Sequence, residues 1–79
     1  MNTQEILISL QTLMRKFFKI PDLIISEITT AKDIDAWNSL NHMSLISEIE
    51  KQFKIQFDFF EVMDFENIDE LVKSIQNKI

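Results

Sequence analysis

Residues 37–53, WNSLNHMSLISEIEKQF, contain the pattern that decides the fold. Apolar side chains recur there every three or four positions with polar residues between them, as in an amphipathic helix: Leu40, Met43, Ile46, Ile49 and Phe53. Asn38 precedes this stripe, and asparagine is a favoured N-cap residue. The pattern predicts a helix over about residues 39–53. If Asn38 is the cap, Ser39 becomes the first helical residue and its hydroxyl is free toward solvent.

The same two signals, a capping residue and helical spacing, mark three further segments. Asn2 with Glu5 has capping-box spacing and predicts a first helix over residues 3–17. Asp58 can cap a short helix that runs through residue 64. Asn67, followed by Glu70, predicts a last helix with one buried face.

Residues 18–37 contain apolar side chains without a sustained period, so they predict a long connection that packs on the core. These side chains are Ile20, Leu23, Ile24, Ile25, Ile28 and Ile34. We also expect the phenylalanines at 53, 57, 59, 60 and 65 to lie in the core. The fold class is therefore all-α: a small four-helix bundle of three main helices and a short third one, with a long ordered loop between helices one and two.

The composition excludes several kinds of partner and site for such a bundle. The 79 residues hold 13 acidic and 8 basic side chains, for a net charge of −5, so we expect no nucleic-acid partner. No cysteine is present to form a disulfide, a thiolate zinc site or a nucleophile, and one histidine cannot build a metal cluster. The absence of glycine removes the glycine-rich loops that bind phosphates and dinucleotides. No apolar run exceeds three residues, so we expect one cytoplasmic domain over residues 1–79, monomeric, without membrane insertion.

Ser39 and His42 are the polar side chains that could carry chemistry. A serine at a helix start is most often only a cap, but a phosphate ester on a free Ser39 hydroxyl would lie against the unpaired N–H groups of the first turn. His42, three residues on, suggests a serine–histidine pair for hydrolysis, yet no acidic residue is placed to orient its ring. In the alternative interpretation Trp37 packs onto His42 as a helix staple. Acidic residues in the second half of the chain could face a partner or only solvent.

The stretch Trp37-Asn38-Ser39-Leu40-Asn41-His42, followed by Leu45, Ile46, Ile49 and Glu50-Lys51-Gln52-Phe53, resembles an acyl carrier protein. That family has Asp-Ser-Leu at the start of its second helix and Glu-x-x-Phe at its end. The likeness covers the whole chain, including Pro21-Asp22 early in the long loop. It is closer to stand-alone carriers of specialised pathways than to the housekeeping fatty-acid carrier.

The resemblance implies a carrier that is not itself an enzyme. Ser39, flanked by Asn38, Leu40 and His42, would receive 4′-phosphopantetheine from coenzyme A through a phosphopantetheinyl transferase and Mg²⁺. The thiol of this arm would carry acyl groups as thioesters in fatty-acid, polyketide or other specialised biosynthesis, and the partners would be the enzymes that load, modify and unload the cargo. The alternatives are an aminoacyl or peptidyl carrier, a helical adaptor that never receives the arm and, more remotely, a hydrolase using Ser39 and His42.

Two departures from the family pattern bear on partners. Asn38 stands where the family usually has aspartate, and Asn41 and Ser44 occupy positions that are often acidic. Glu48 and Glu50 therefore remain as the main carboxylates of the second helix, and with Met43 they are the predicted partner-binding residues.

The resemblance also implies a cleft that shelters the acyl chain. Its predicted border is Ile49, Phe57, Val62, Phe65 and Leu71. Positions 62 and 65 carry larger side chains here than the alanine and isoleucine common in fatty-acid carriers. Because packed interiors hold few voids, we expect the resting cleft to be mostly filled and to favour a short or polar cargo.

Overall fold

The computed structural model describes residues 1–79 and has four α-helices and no strand. They are α1 (Thr3–Phe18), α2 (His42–Phe53), α3 (Phe59–Asp64) and α4 (Ile68–Lys78), with a single 3₁₀ turn at Ala31–Asp33 in the long loop. α1 packs against both α2 and α4. The predicted all-α four-helix architecture is confirmed.

α1 begins and ends within one residue of the predicted bounds, residues 3–17, and local hydrogen bonds explain both ends. The side chain of Asn2 accepts a hydrogen bond from the backbone N–H of Glu5 at 2.9 Å, and Glu5 accepts one from the N–H of Asn2 at 3.0 Å. This reciprocal capping box satisfies two N–H groups that the helix itself leaves unpaired. Lys19 ends the helix in the left-handed conformation, with φ of 60°.

One hydrophobic core joins all the helices. Side chains with little or no exposed surface come from α1, α2, α4 and the loop, together with Val62 of α3. The most completely buried large ones are Ile6, Leu10, Met14, Leu45, Ile49, Ile68, Leu71 and Ile75. Burial of each such side chain contributes ~1.5–3 kcal/mol, which lets a chain with no cysteine fold without a disulfide.

The long loop is held by hydrogen bonds as well as by apolar contacts. The N–H groups of Ile68 and Asp69, at the start of α4, donate to the carbonyls of Thr29 and Glu27 at 2.9 and 3.0 Å. The side chain of Gln11 accepts from the N–H of Ile25 at 2.9 Å. The loop is therefore ordered although it contains only one short 3₁₀ turn.

Parts of the predicted core are instead exposed. Ile24 and Ile28 point away from the core, and Ile28 is 83% exposed, because a loop without a regular period has no single buried face. Phe59 and Phe60 of α3 are 60% and 75% exposed, whereas phenylalanines 53, 57 and 65 are half-buried against the core. A six-residue helix can bury only one narrow face, and in α3 Val62 occupies it.

The start of α2 also differs from the prediction. Regular helix begins at His42 rather than at residue 39, and residues 38–41 form a separate turn before it. Leu40 is consequently 91% exposed, and the buried stripe of α2 consists of Leu45, Ile46 and Ile49. Met43, predicted to belong to that stripe, is also exposed.

None of the four helices combines the length and the apolar character that crossing a bilayer requires.

Candidate functional site

The turn before α2 is closed by two asparagines. Oδ1 of Asn38 accepts hydrogen bonds from the N–H groups of Leu40 and Asn41 at 2.9 and 3.1 Å. Oδ1 of Asn41 accepts from the N–H of Asn38 at 3.0 Å, and Nδ2 of Asn41 donates to the carbonyl of Ala36 at 2.6 Å. Asn38 therefore closes the turn that precedes α2, and the prediction that it is the N-cap of α2 itself is wrong, because Asn41 occupies that position. The part played by Asn41 was missed, although Asn-x-x-Asn has the spacing of a capping box.

Ser39 lies inside this turn with its hydroxyl free. The residue is exposed, and its Oγ makes no hydrogen bond within the chain. The backbone N–H groups of Ser39, Met43 and Ser44 also have no acceptor in the chain, and all three residues are exposed. A phosphate ester on Ser39 would therefore find unpaired donors at the positive end of α2.

His42 is not placed to act as a base for Ser39. Its Nδ1 accepts a hydrogen bond from Nε1 of Trp37 at 3.0 Å, and its Nε2 lies 3.1 Å from the carbonyl oxygen of Val62. The indole N–H can only donate, so Nδ1 is the acceptor and Nε2 carries the proton. The two rings stack with their centroids 5.9 Å apart. Both ring nitrogens are therefore engaged, which agrees with the staple interpretation and leaves no base for a serine hydrolase.

A groove of about 480 Å³ adjoins Ser39 between α2 and α3. Most of its lining is apolar, and Glu66 is the only charged residue in it. Its lining includes Trp37, Ser39, His42, Met43, Val62 and Phe65. This space, called the Ser39 groove below, has the size and character of a site for a small ligand. A depression of about 500 Å³ between α1 and α2 is lined mainly by polar and charged side chains and does not include Ser39.

The five residues predicted to border an acyl cleft do not surround one open space. Ile49 and Leu71 have 0% and 1% of their surface exposed and line neither the Ser39 groove nor the depression between α1 and α2. Phe57 and Phe65 are half-buried and pack edge to face with ring centroids 5.6 Å apart. Val62 and Phe65 are the two that reach the Ser39 groove. Around Ile49 and Leu71 the space between the helices is therefore filled by side chains.

The predicted partner-binding residues have different surroundings. Glu48 and Met43 are exposed on α2, and Glu48 forms a surface ion pair with Lys51 at 3.7 Å. Glu50 is half-buried, and its Oε2 accepts a hydrogen bond from the N–H of Phe57 at 2.8 Å. Its carboxylate thus orders the link between α2 and α3.

Glu61 ties α3 to α4. Its Oε2 accepts a hydrogen bond from Oγ of Ser74 at 2.6 Å, and its Oε1 lies 3.0 Å from Nζ of Lys78. The hydrogen bond from Ser74 is the main cause that holds the pKa of Glu61 below its ordinary value. Partial burial opposes this effect, and Lys78 adds to it. The sequence leaves open whether the acidic residues of the second half of the chain, Glu61 among them, face a partner or only solvent. The carboxylate of Glu61 is instead bound inside the chain.

Comparisons with known proteins identify the family and the fold. A family model described as "Phosphopantetheine attachment site" matches residues 9–75. The chain is similar to the solution structure of a holo acyl carrier protein from Geobacter metallireducens, with 35% identity and a TM-score of 0.85. The similarity covers 91% of this chain and 83% of that one. Among curated proteins, no sequence matches at a significant level.

Proposed function

The chain belongs to the phosphopantetheine-attachment family and has the acyl carrier protein fold, and from this premise we propose that it is an acyl carrier protein modified on Ser39. Its prosthetic group is 4′-phosphopantetheine, and the protein is a carrier rather than a catalyst. One observation supports Ser39 as the attachment residue above all others. It is an exposed serine whose hydroxyl has no partner and which lies in the turn directly before α2.

The surroundings of Ser39 fit a 4′-phosphopantetheine group. Asn38 and Asn41 hold the turn, so that the hydroxyl is presented to solvent and to a transferase. The unpaired N–H groups of Ser39, Met43 and Ser44 are available to hold the oxygens of a phosphodiester. When bound, the group supplies a thiol that carries acyl chains as thioesters, and this chain has no cysteine of its own to compete.

Partner enzymes would meet the face formed by the Ser39 turn, α2 and α3. Leu40, Met43, Phe59, Phe60 and Met63 expose apolar surface on these elements. Glu48 adds charge on α2, while Asn41 and Ser44 add none. We therefore expect the transferase and the loading and unloading enzymes to rely more on apolar contact than on dense negative charge.

The experiment that tests attachment is an intact-mass measurement. The protein is incubated with coenzyme A, Mg²⁺ and a broad-specificity phosphopantetheinyl transferase, and we expect a gain of one phosphopantetheine. Ser39→Ala should gain nothing, while the control Ser44→Ala, an exposed serine on α2, should be modified like the wild type. Attachment that persists in Ser39→Ala would falsify the assignment of the residue.

The same measurement separates the proposal from its rival, an adaptor that never receives the arm. Asn38 in place of the family's aspartate supports that rival, and an unmodified wild type would establish it. An aminoacyl or peptidyl carrier would gain the same mass and differ in cargo. We propose that the carrier acts as a cytoplasmic monomer in fatty-acid, polyketide or another specialised biosynthetic pathway.

A further inference from the structure

His42 joins three parts of the chain through two hydrogen bonds. The indole of Trp37, at the end of the long loop, donates to Nδ1 at 3.0 Å, and Nε2 donates to the Val62 carbonyl at 3.1 Å. That carbonyl lies in the last turn of α3, where it has no helical N–H partner. These two bonds, called the His42 link below, therefore hold the loop, α2 and α3 together at one point.

The His42 link lies where the Ser39 groove meets the core. Trp37 and Val62 belong to the buried core, with 9% and 3% of their surface exposed, and both also line the groove. Trp37 and Val62 thus form the floor of the groove. His42 lines the same groove and connects these two residues through its two hydrogen bonds. Ile49 and Leu71 belong to the same core cluster and are fully buried.

A group tethered to Ser39 begins at this groove, since Ser39 is part of its lining. To enter the space between the helices, it would have to separate Trp37 from Val62. That movement breaks at least one of the two hydrogen bonds of His42, and loss of the bond to Val62 leaves a buried carbonyl without a donor. Lying in the groove breaks no bond.

Resting on the proposed attachment at Ser39, we propose that His42 is a specificity-determining residue for cargo. The His42 link keeps the cargo of the arm in the Ser39 groove and out of the interior. A chain of a few carbons fits in the groove against Met43, Met63 and Phe65, and a longer one extends into solvent. The carrier thereby favours short acyl groups for two reasons: the His42 link blocks entry to the interior, and the side chains of the core fill it.

The test compares cargo lengths with two readouts. The transferase loads the wild type from coenzyme A and from acetyl-, hexanoyl- and decanoyl-coenzyme A, and intact mass verifies each product. Thermal unfolding then reports burial of the cargo, and the fluorescence of Trp37 reports occupancy of the groove. Trp37 is the only tryptophan and the chain has no tyrosine, so this signal comes from one residue.

We expect the wild-type emission to shift on loading with hexanoyl, and Tm to stop rising between hexanoyl and decanoyl. His42→Leu removes both hydrogen bonds and keeps an apolar side chain of similar bulk. In that variant Tm should rise by ~5 °C or more from hexanoyl to decanoyl, about the effect of burying one further methylene group. The control Ile75→Val weakens the core on α4 without touching the link, and should follow the wild type.

Three results would overturn the inference. The first is a higher Tm for the wild type loaded with decanoyl than for the wild type loaded with hexanoyl, and this comparison needs no variant. The second is an emission of Trp37 that no cargo changes. The third is a His42→Leu series identical to that of the wild type. If the wild type gains no arm at all, the proposed function fails together with this inference, whereas a loaded protein with any of these three results removes the inference alone.

Discussion

Asn38 and Asn41 each accept the backbone N–H of the other, at 3.1 and 3.0 Å, and so close the turn that contains Ser39. The side chain of Asn38 takes a further N–H from Leu40, and that of Asn41 donates to Ala36 in the loop. The turn is thus rigid without any hydrogen bond to the Ser39 hydroxyl. The presentation of this serine is a property of the two asparagines beside it.

Asn41→Ala should loosen this turn. The substitution removes the acceptor for the N–H of Asn38 and the donor to Ala36, and loss of such a cap costs ~1 kcal/mol. We expect Tm to fall by ~4–8 °C in thermal unfolding. Asn77→Ala, in an exposed asparagine of α4, is the matched control and should leave Tm nearly unchanged. Equal Tm values for the two variants would contradict the structural role of Asn41.

Asn38→Asp should keep the fold and speed modification. A carboxylate oxygen accepts the same two backbone N–H groups, and negative charge at a helix start is favourable by ~0.3–1 kcal/mol. It also restores the family's aspartate before the serine. We expect a higher rate of arm attachment by a general transferase, measured as the holo fraction over time. The control Asn77→Asp adds the same charge far along the chain. If arm attachment in Asn38→Asp is no faster than in this control, Asn38 does not limit recognition by the transferase.

Glu61 should make stability depend on pH in the acid range. Its pKa in the folded protein lies below its ordinary value, so the unfolded chain takes up the proton first as pH falls. The stability that the ionised carboxylate contributes is complete above the unfolded pKa and is lost as pH falls through the folded pKa. We expect Glu61→Gln to lower stability by ~1 kcal/mol at pH 7, because hydrogen bonds and ion pairs near the surface contribute amounts of this order.

The measurement for Glu61 is Tm against pH for the wild type and for Glu61→Gln. The gap between them should narrow as pH falls, because the carboxyl of the wild type then becomes neutral like the amide of the variant. Glu66→Gln, in an exposed carboxylate without a hydrogen bond or ion pair in the chain, is the control and should show no such closing gap. A gap of constant size from pH 7 to pH 3 would contradict the role assigned to the ionised form.

Lys54→Gly should stabilise the protein. Lys54 ends α2 with φ of 57°, a left-handed conformation that a side chain makes costly and that glycine adopts freely. We expect a gain of ~0.5–1 kcal/mol in the free energy of unfolding, measured by denaturant titration. Lys51→Gly, at an exposed position in the last turn of the same helix, should instead destabilise the protein, because glycine is a poor helix former. Changes of the same sign in both variants would show that the backbone conformation is not the cause.

Signals within a few residues were enough to predict the helices. The cap at Asn2, the spacing of apolar residues in α4 and the turn after Asp58 depend on neighbours along the chain, and the structure contains all three elements close to the expected residues. The candidate attachment residue, Ser39, also comes from a short motif, and its role stays a prediction. The prediction failed for side chains whose exposure depends on what packs across from them.

The sequence by itself thus determined the all-α architecture, the capping of α1 and the candidate serine, because hydrogen bonds and periodicity within one turn specify them. Only the tertiary structure decided that Phe60 faces solvent while Val62 faces the core, since that choice depends on how α3 lies against α2 and α4. The same holds for His42. Its partners are an indole five residues away and a carbonyl twenty residues away, and no local pattern brings those three groups within hydrogen-bonding distance.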